Sequence, residues 1–281
     1  MGRERMNFFH VCRRNTTSLE ARFRDCIAAR DDGERAVIGR FAEVVREKGR
    51  IALNLRPMGL LDLLQSNRLL NVYQWAALKV NKSKKVREEI IKDRLGEYYE
   101  RRVAFDRHFV DGEDFKYGAL STGGLGADKY GEYCIVLSRD ALENGGDVGY
   151  LQADSLSRYL TSDSAVNEEE LVRDCAPDSH RQILAAIKHS LAILCLAESR
   201  WSSLLCNNDD YLEAIFTGEI ASNKIDSVRI DKLDYDLCME YGFNEHRQRL
   251  SDADRLWIEA FCLIDECLDD LGLAWETVDN A

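Results

Sequence analysis

Proline is nearly absent: Pro57 and Pro177 are the two in 281 residues. That scarcity excludes a proline-rich linker or a polyproline ligand. Long apolar runs are missing too. The most apolar stretch, Ser190 to Ala197, falls far short of the roughly 18–20 residues that a spanning helix needs, so no membrane is expected as a partner. The opening MGRERMNFFHVCRR has too short an apolar part for a signal peptide. It also lacks Ser or Thr at position six, which a myristoylation signal requires, and a cytoplasmic protein is expected. None of the nine cysteines forms Cys-x-x-Cys, and no Cys/His cluster has zinc spacing. They read as reduced core thiols, and no metal is expected. Basic residues are the minority, 38 against 50 acidic, for a net charge of −12. The acidic total argues against non-specific polyanion binding as the main task, because neutralising phosphates takes a basic face. It does not exclude a local basic site.

What is present describes an ordinary folded protein, with 45% hydrophobic and 31% charged residues. The length suits one large or two small domains with a core that needs no staples. The ends read as helices. Thr17 with Glu20 three residues later resembles a capping box, for a helix stopping near Asp31-Asp-Gly33. A second helix runs from Glu34 to Lys48 and stops at Gly49. A last one, capped by Ser251 with Asp254, ends at Gly272. Between them the texture is short strands: Ile51–Leu55, Phe115–Leu120, Tyr133–Leu137, Tyr211–Ile220 and Ile225–Ile230. Met58–Leu70 and Asn81–Tyr99 read as helical. Asn167–Cys175 and Ser179–Leu205 read as a helical pair broken at Pro177. The pattern is α+β.

Four segments could carry chemistry. In the first, strand Leu53-Asn-Leu-Arg-Pro57 ends on Arg56, whose planar fork suits a phosphate or carboxylate; a surface ion pair is the ordinary alternative. The second is Arg94–Phe105, where Glu97, Glu100, Arg101 and Arg102 fit helix-surface pairs. The third, Phe115–Leu137, holds Tyr117, Ser121, Thr122, a glycine run at 123–126 and Tyr130. Small residues there let a ligand approach the backbone, yet neither a P-loop nor a dinucleotide fingerprint is present, and a glycine-rich hairpin is the ordinary alternative. The fourth, Asp209–Ile220, sets Glu213 among Tyr211, Leu212, Ala214, Ile215 and Phe216. A carboxylate in an apolar strand is costly unless exposed, paired or used. Alternation puts Tyr211, Glu213 and Ile215 on one face, and the ordinary reading is a solvent-facing glutamate on an edge strand.

Taken in order, Arg56, Asn67-Arg-Leu69, Tyr99-Glu-Arg101, Tyr117-Gly-Ala-Leu120, Tyr130-Gly131 with Cys134–Leu137, and Tyr211-Leu-Glu-Ala214 resemble the ADP-ribosyltransferase superfamily, in a bacterial branch of it. The resemblance covers roughly residues 50–231. It implies a split mixed β-sheet core over residues 50–235 with a helical insertion at about 165–206, and helical additions over 1–49 and 236–281. It implies NAD as substrate, cleavage of the nicotinamide–ribose bond through an oxocarbenium-like transition state, and transfer of ADP-ribose to a macromolecular acceptor, nucleic acid or protein. Glu213 matches the catalytic glutamate and Arg56 the residue that anchors NAD. Tyr117, Ser121, Thr122 and Tyr130 fall where the pocket would be lined. The superfamily's Ser-Thr-Ser triplet is reduced to Ser121-Thr122-Gly123, and no Glu-x-Glu pair stands at the catalytic strand. The second departure argues against an arginine-modifying toxin. Lys82, Lys84, Lys85 and Arg87 form a basic patch that could dock an acceptor, with a solvated helix start as the alternative. The resemblance further suggests an intracellular bacterial toxin or defence effector, with an antitoxin protein as partner. An NAD glycohydrolase and a catalytically inactive NAD- or partner-binding module are the other readings.

Overall fold

The computed structural model describes residues 5–80, 85–142, 145–242 and 251–279. Among these, eight strands build one mixed sheet: β1 (Arg50–Leu55), β2 (Lys116–Ser121), β3 (Tyr133–Leu137), β4 (Val148–Leu151), β5 (Cys175–Pro177), β6 (Glu213–Phe216), β7 (Ile225–Asp231) and β8 (Trp275–Val278). Their order is β5-β4-β6-β2-β1-β3-β7-β8. All neighbours are antiparallel except the parallel pair β7 and β8. The α+β architecture is thus as expected. The hydrogen-bond ladder, however, is continuous from β5 to β8, so the expected split of the sheet is absent from its backbone pairing.

Side-chain alternation gives the sheet two unlike faces. One carries Ile51, Leu53, Leu120, Ile135, Ala214, Phe216, Val228 and Ile230 into the larger core. Helices from both ends of the chain close over it. Asp32–Lys48 supplies Ile38, Phe41 and Val45, and Asp252–Leu271 supplies Ile258, Phe261, Ile264 and Leu268. Phe41 meets Trp201 edge-on at 5.4 Å, and Phe261 stacks on Trp275 at 5.1 Å. Each such buried side chain contributes about 1.5–3 kcal/mol. The opposite face packs Leu151 and Ile215 against an aromatic group of Phe8, Phe9, Phe105, Phe109 and Phe115. No helix among the described residues is long and apolar enough to cross a membrane.

Several local expectations change. Helix Thr16–Ala28 starts before Thr17, with Asn15 as its cap, so Thr17 and Glu20 form no capping box. Asn15 instead spends its side-chain amide on the carbonyls of Cys175 and Arg173, tying the helix start to β5. The box forms one helix later, where Asp31 accepts the Glu34 N–H and Glu34 accepts the Asp31 N–H. Cys175–Pro177, read as a break between helices, is an edge strand; its proline sits where no central ladder bond is lost. The helical stretch after it is divided into Arg181–His189, Ala192–Cys195 and Trp201–Leu205. Within Asn81–Tyr99 the described α-helix covers Arg87–Leu95. The expected glycine-rich hairpin is not one, because β1 lies between β2 and β3. The C-terminal region, expected to be helical, also carries β8.

The β2–β3 connection is fastened to β1 by one residue. Asn54 donates to the carbonyls of Leu125 (2.8 Å) and Gly131 (3.0 Å) and accepts the N–H of Ala127 at 2.8 Å. Gly131 passes so close that a Cβ there would lie 2.2 Å from the carbonyl carbon of Leu55. Asn54→Ala is therefore expected to cost about 2–4 kcal/mol, from the bonds lost and the partners left unpaired. Urea denaturation measures this, and limited proteolysis should show new cleavage between residues 123 and 131.

Candidate active site

Glu213 begins β6, which lies between β4 and β2. It is not the exposed edge residue of the ordinary reading, and its relative exposure is 2%. In register with it stand Leu151 on β4 and Ala119 on β2, then Ala52 on β1 and Val136 on β3. Ala119 packs against Ala127, Cys206 and Tyr211, and the polar groups gather beside Glu213.

Arg102 reaches in from helix Tyr99–Arg107. Its Nη2 lies 3.8 Å from Glu213 Oε1, and its Nη1 lies 3.9 Å from Asp106 Oδ1. Nη1 also donates to Ser155 Oγ at 3.2 Å. The guanidinium sits 3.6 Å above the centre of the Tyr117 ring, well within cation–π range. Tyr117 donates its hydroxyl to Asp106 Oδ1, and Tyr73 donates to Asp106 Oδ2 at 2.7 Å. Glu213 Oε2 accepts the Ser155 backbone N–H at 2.8 Å. Alongside, Tyr211 donates to Asp154 Oδ2 at 2.5 Å, and the Tyr130 and Tyr211 hydroxyls are 3.0 Å apart.

One guanidinium thus faces two buried carboxyl groups, and they do not titrate alike. Burial pushes Glu213 up from 4.5 to about 8; the charge of Asp154 adds to this, while Arg102 and the Ser155 N–H oppose it. Burial raises Asp106 only to about 6, held back by Arg102 and by the hydroxyls of Tyr117 and Tyr73. Burial alone would lower the basicity of Arg102, yet Tyr117, Glu213 and Asp106 raise it. Near pH 7 the arginine is therefore balanced by Asp106, and Glu213 keeps its proton. Asp154 lies below the usual carboxylate range: burial pushes it up, but the Tyr211 hydroxyl and the Ser157 N–H outweigh that. Burial and nearby carboxylates keep the phenols of Tyr73, Tyr117 and Tyr211 protonated as donors. A carboxyl poised near neutrality beside fixed donors is what proton transfer or charge stabilisation requires.

Of the residues singled out from the sequence, Glu213, Tyr117 and Tyr130 converge here. Ser121 lies on the same face of β2, two residues beyond Ala119, but its hydroxyl is spent on Gly123, donating to the carbonyl and accepting the N–H. Half-buried Thr122 follows it. Arg56 is not at the site. It is exposed, caps helix Pro57–Ser66, and lies four residues past Ala52, about 13 Å along the strand direction. Lys82 and Lys84 lie outside the described residues. Lys85 pairs with Asp93 and Arg87 with Glu113, which spends both cations on neighbours. Arg102, read as half of a surface pair, is instead the centre of the site, and Asp106, Asp154, Ser155 and Tyr211 were missed as site residues. The signal for Arg102 was its spacing: it shares a helix face with Phe105, Asp106 and Phe109, which are all buried.

Comparison of the chain with known protein families and with curated proteins finds no match.

The pKa of Glu213 fixes a sign for stability. A carboxyl whose folded pKa is raised stabilises the fold below about pH 4.5, and that stabilisation is lost as pH climbs through about 8. Glu213→Gln has no such loss. Its stability relative to the natural chain should improve by a few kcal/mol between pH 5 and 8 and then level off, as followed by urea unfolding across pH. Arg102→Leu strands Asp106 and should cost about 3–5 kcal/mol at pH 7.

Proposed function

We propose that the chain is an NAD-dependent ADP-ribosyltransferase in which Glu213 is the catalytic carboxyl. One observation carries the reading. The segments that resemble the superfamily, on β1, β2, β3 and β6, are contiguous in the sheet as β6-β2-β1-β3, and the single glutamate among them stands at the head of β6 over a row of alanines. Four pieces scattered over the chain become one surface, and Glu213 is the acid on it with a pKa near neutrality.

The chemistry asks little more. The bond between nicotinamide nitrogen and ribose C1′ breaks with its electron pair leaving on nicotinamide. The positive charge left on the ribose is stabilised by ionised Glu213, and an acceptor nucleophile bonds to C1′ and passes its proton to that carboxylate. In the free protein Glu213 holds a proton, so it enters catalysis ionised either by rising pH or by the cationic nicotinamide ring beside it. Tyr130 is half-exposed and linked to Tyr211, and Arg102, stacked on the Tyr117 ring, lies 3.8 Å from Glu213 Oε1. Arg56, exposed past the end of β1, suits the distal phosphates of an extended dinucleotide rather than the reacting bond. The acceptor on this reading is a protein or a nucleic acid.

Incubation with NAD labelled in both halves tests this. Nicotinamide release should fall by about 100-fold or more in Glu213→Gln, while Arg56→Ala should raise KM for NAD with the fold intact. The kcat/KM for NAD should increase with pH through about 8. Label on the protein, RNA or DNA fraction of a lysate identifies the acceptor, and free ADP-ribose alone makes the enzyme a glycohydrolase. Full release by Glu213→Gln would reject the assignment.

A further inference from the structure

Three arginines gather at one helix end. Helix Asp32–Lys48 stops at Gly49, and its last carbonyls need donors. Arg50 Nη1 donates to the carbonyls of Glu47 (3.1 Å) and Gly49 (3.0 Å). Arg139 Nη2 donates to Glu47 as well, and Arg181 Nη2 donates to the carbonyl of Arg46 at 3.0 Å. Beside them lies a cavity of about 90 Å³ bordered by Arg50, Arg139, Asp178 and Arg181 and by apolar side chains that include Leu142 and Val148.

Capping does not account for this much charge. A helix C-terminus carries about half a negative charge. Among the described residues one carboxylate is in direct contact: Asp178, whose Oδ2 lies 2.7 Å from Arg181 Nη1 and whose Oδ1 accepts the Tyr150 hydroxyl at 3.1 Å. Asp140 is committed to Lys224 and to Ser138. Asp226 attracts Arg50 only from an exposed position on β7. Three full positive charges therefore meet roughly one and a half negative ones. The repulsion is visible in Arg50, whose basicity is lowered first by burial and then by Arg139. The donor inventory is also unfinished, because the buried Nε of Arg181 has no hydrogen-bond partner.

We infer that this cavity is a binding site for a doubly charged tetrahedral oxyanion of the phosphate class, free or as a phosphomonoester, gripped by Arg50, Arg139 and Arg181. Its charge of about −1.5 to −2 near pH 7 matches the excess. Guanidinium forks are the side chains that bind such oxygens in pairs. A cavity of this size takes one phosphoryl group rather than a nucleotide, and its lining includes exposed Arg139. The site does not depend on the activity proposed for Glu213.

Calorimetric titration of the full chain with sodium phosphate at pH 7.5, against chloride of equal ionic strength, tests it. One saturable site with Kd below about 1 mM is expected. The affinity should fall at pH 5.5, where phosphate is mostly singly charged, and by about tenfold or more in Arg139→Gln. Glycerol 2-phosphate is the second arm. Binding comparable to phosphate assigns the site to phosphomonoesters, and binding of phosphate alone assigns it to the free ion. No saturable binding to the natural chain overturns the inference whatever the variants do, and so does an unchanged Kd in Arg139→Gln.

Discussion

A guanidinium taken out of water must be repaid in charge and hydrogen bonds, and Arg102 sets the terms for much of this fold. It needs helix Tyr99–Arg107 to carry it over the Tyr117 ring. It needs Asp106 one turn along the same helix as its standing counter-ion. It also needs the chain after β4 to turn at Asp154 and Ser155, which supply the acceptor for Nη1 and the N–H for Glu213. Since Asp106 already neutralises the arginine, Glu213 has no full partner of its own. Its proton is a consequence of that count as much as of burial.

The single arginine beside Glu213 and the three arginines at the end of helix Asp32–Lys48 solve opposite problems. Around Arg102 the cation is outnumbered: Asp106 and Asp154 are ionised acids, Glu213 keeps its proton, and the phenols of Tyr73, Tyr117 and Tyr211 donate to the two aspartates. Around Arg50, Arg139 and Arg181 the charges remain open, because helix carbonyls satisfy hydrogen bonds with only partial charge. The first arrangement tunes a residue of the chain; the second is suited to something the chain does not contain.

Much of the frame was legible in the sequence. Apolar runs marked β1, β2, β3 and β7, glycines marked the stops at Gly49 and Gly272, and alternation placed Tyr211 and Glu213 on one face. What failed was non-local. Nothing along the chain says that β6 pairs Ala119 on one side and Leu151 on the other, so an edge position looked natural for Glu213. Nor does local pattern say that β1 separates β2 from β3. Arg102 was hidden by its neighbours, since Glu97, Glu100 and Arg101 read as a solvated helix face and the buried face showed only in the spacing of Phe105 and Phe109. The three-residue β5 was lost between two helix signals, and Asn15, which looks like an ordinary helix cap, does its bonding across the structure.

The position of β6 has a consequence for the order in which the protein can come together. Its partners β2 and β4 are both made long before it, and Gly118 and Tyr150 wait on either side for Ala214. Until β6 inserts, the emerging chain exposes two unpaired strand edges and an arginine whose second acid has not been synthesised. Loop closure over such a separation is slow relative to local contacts. The step that seals the sheet is therefore also the step that delivers Glu213, so a chain still short of β6 holds Arg102 with Asp106 but lacks the acid that the site is built around.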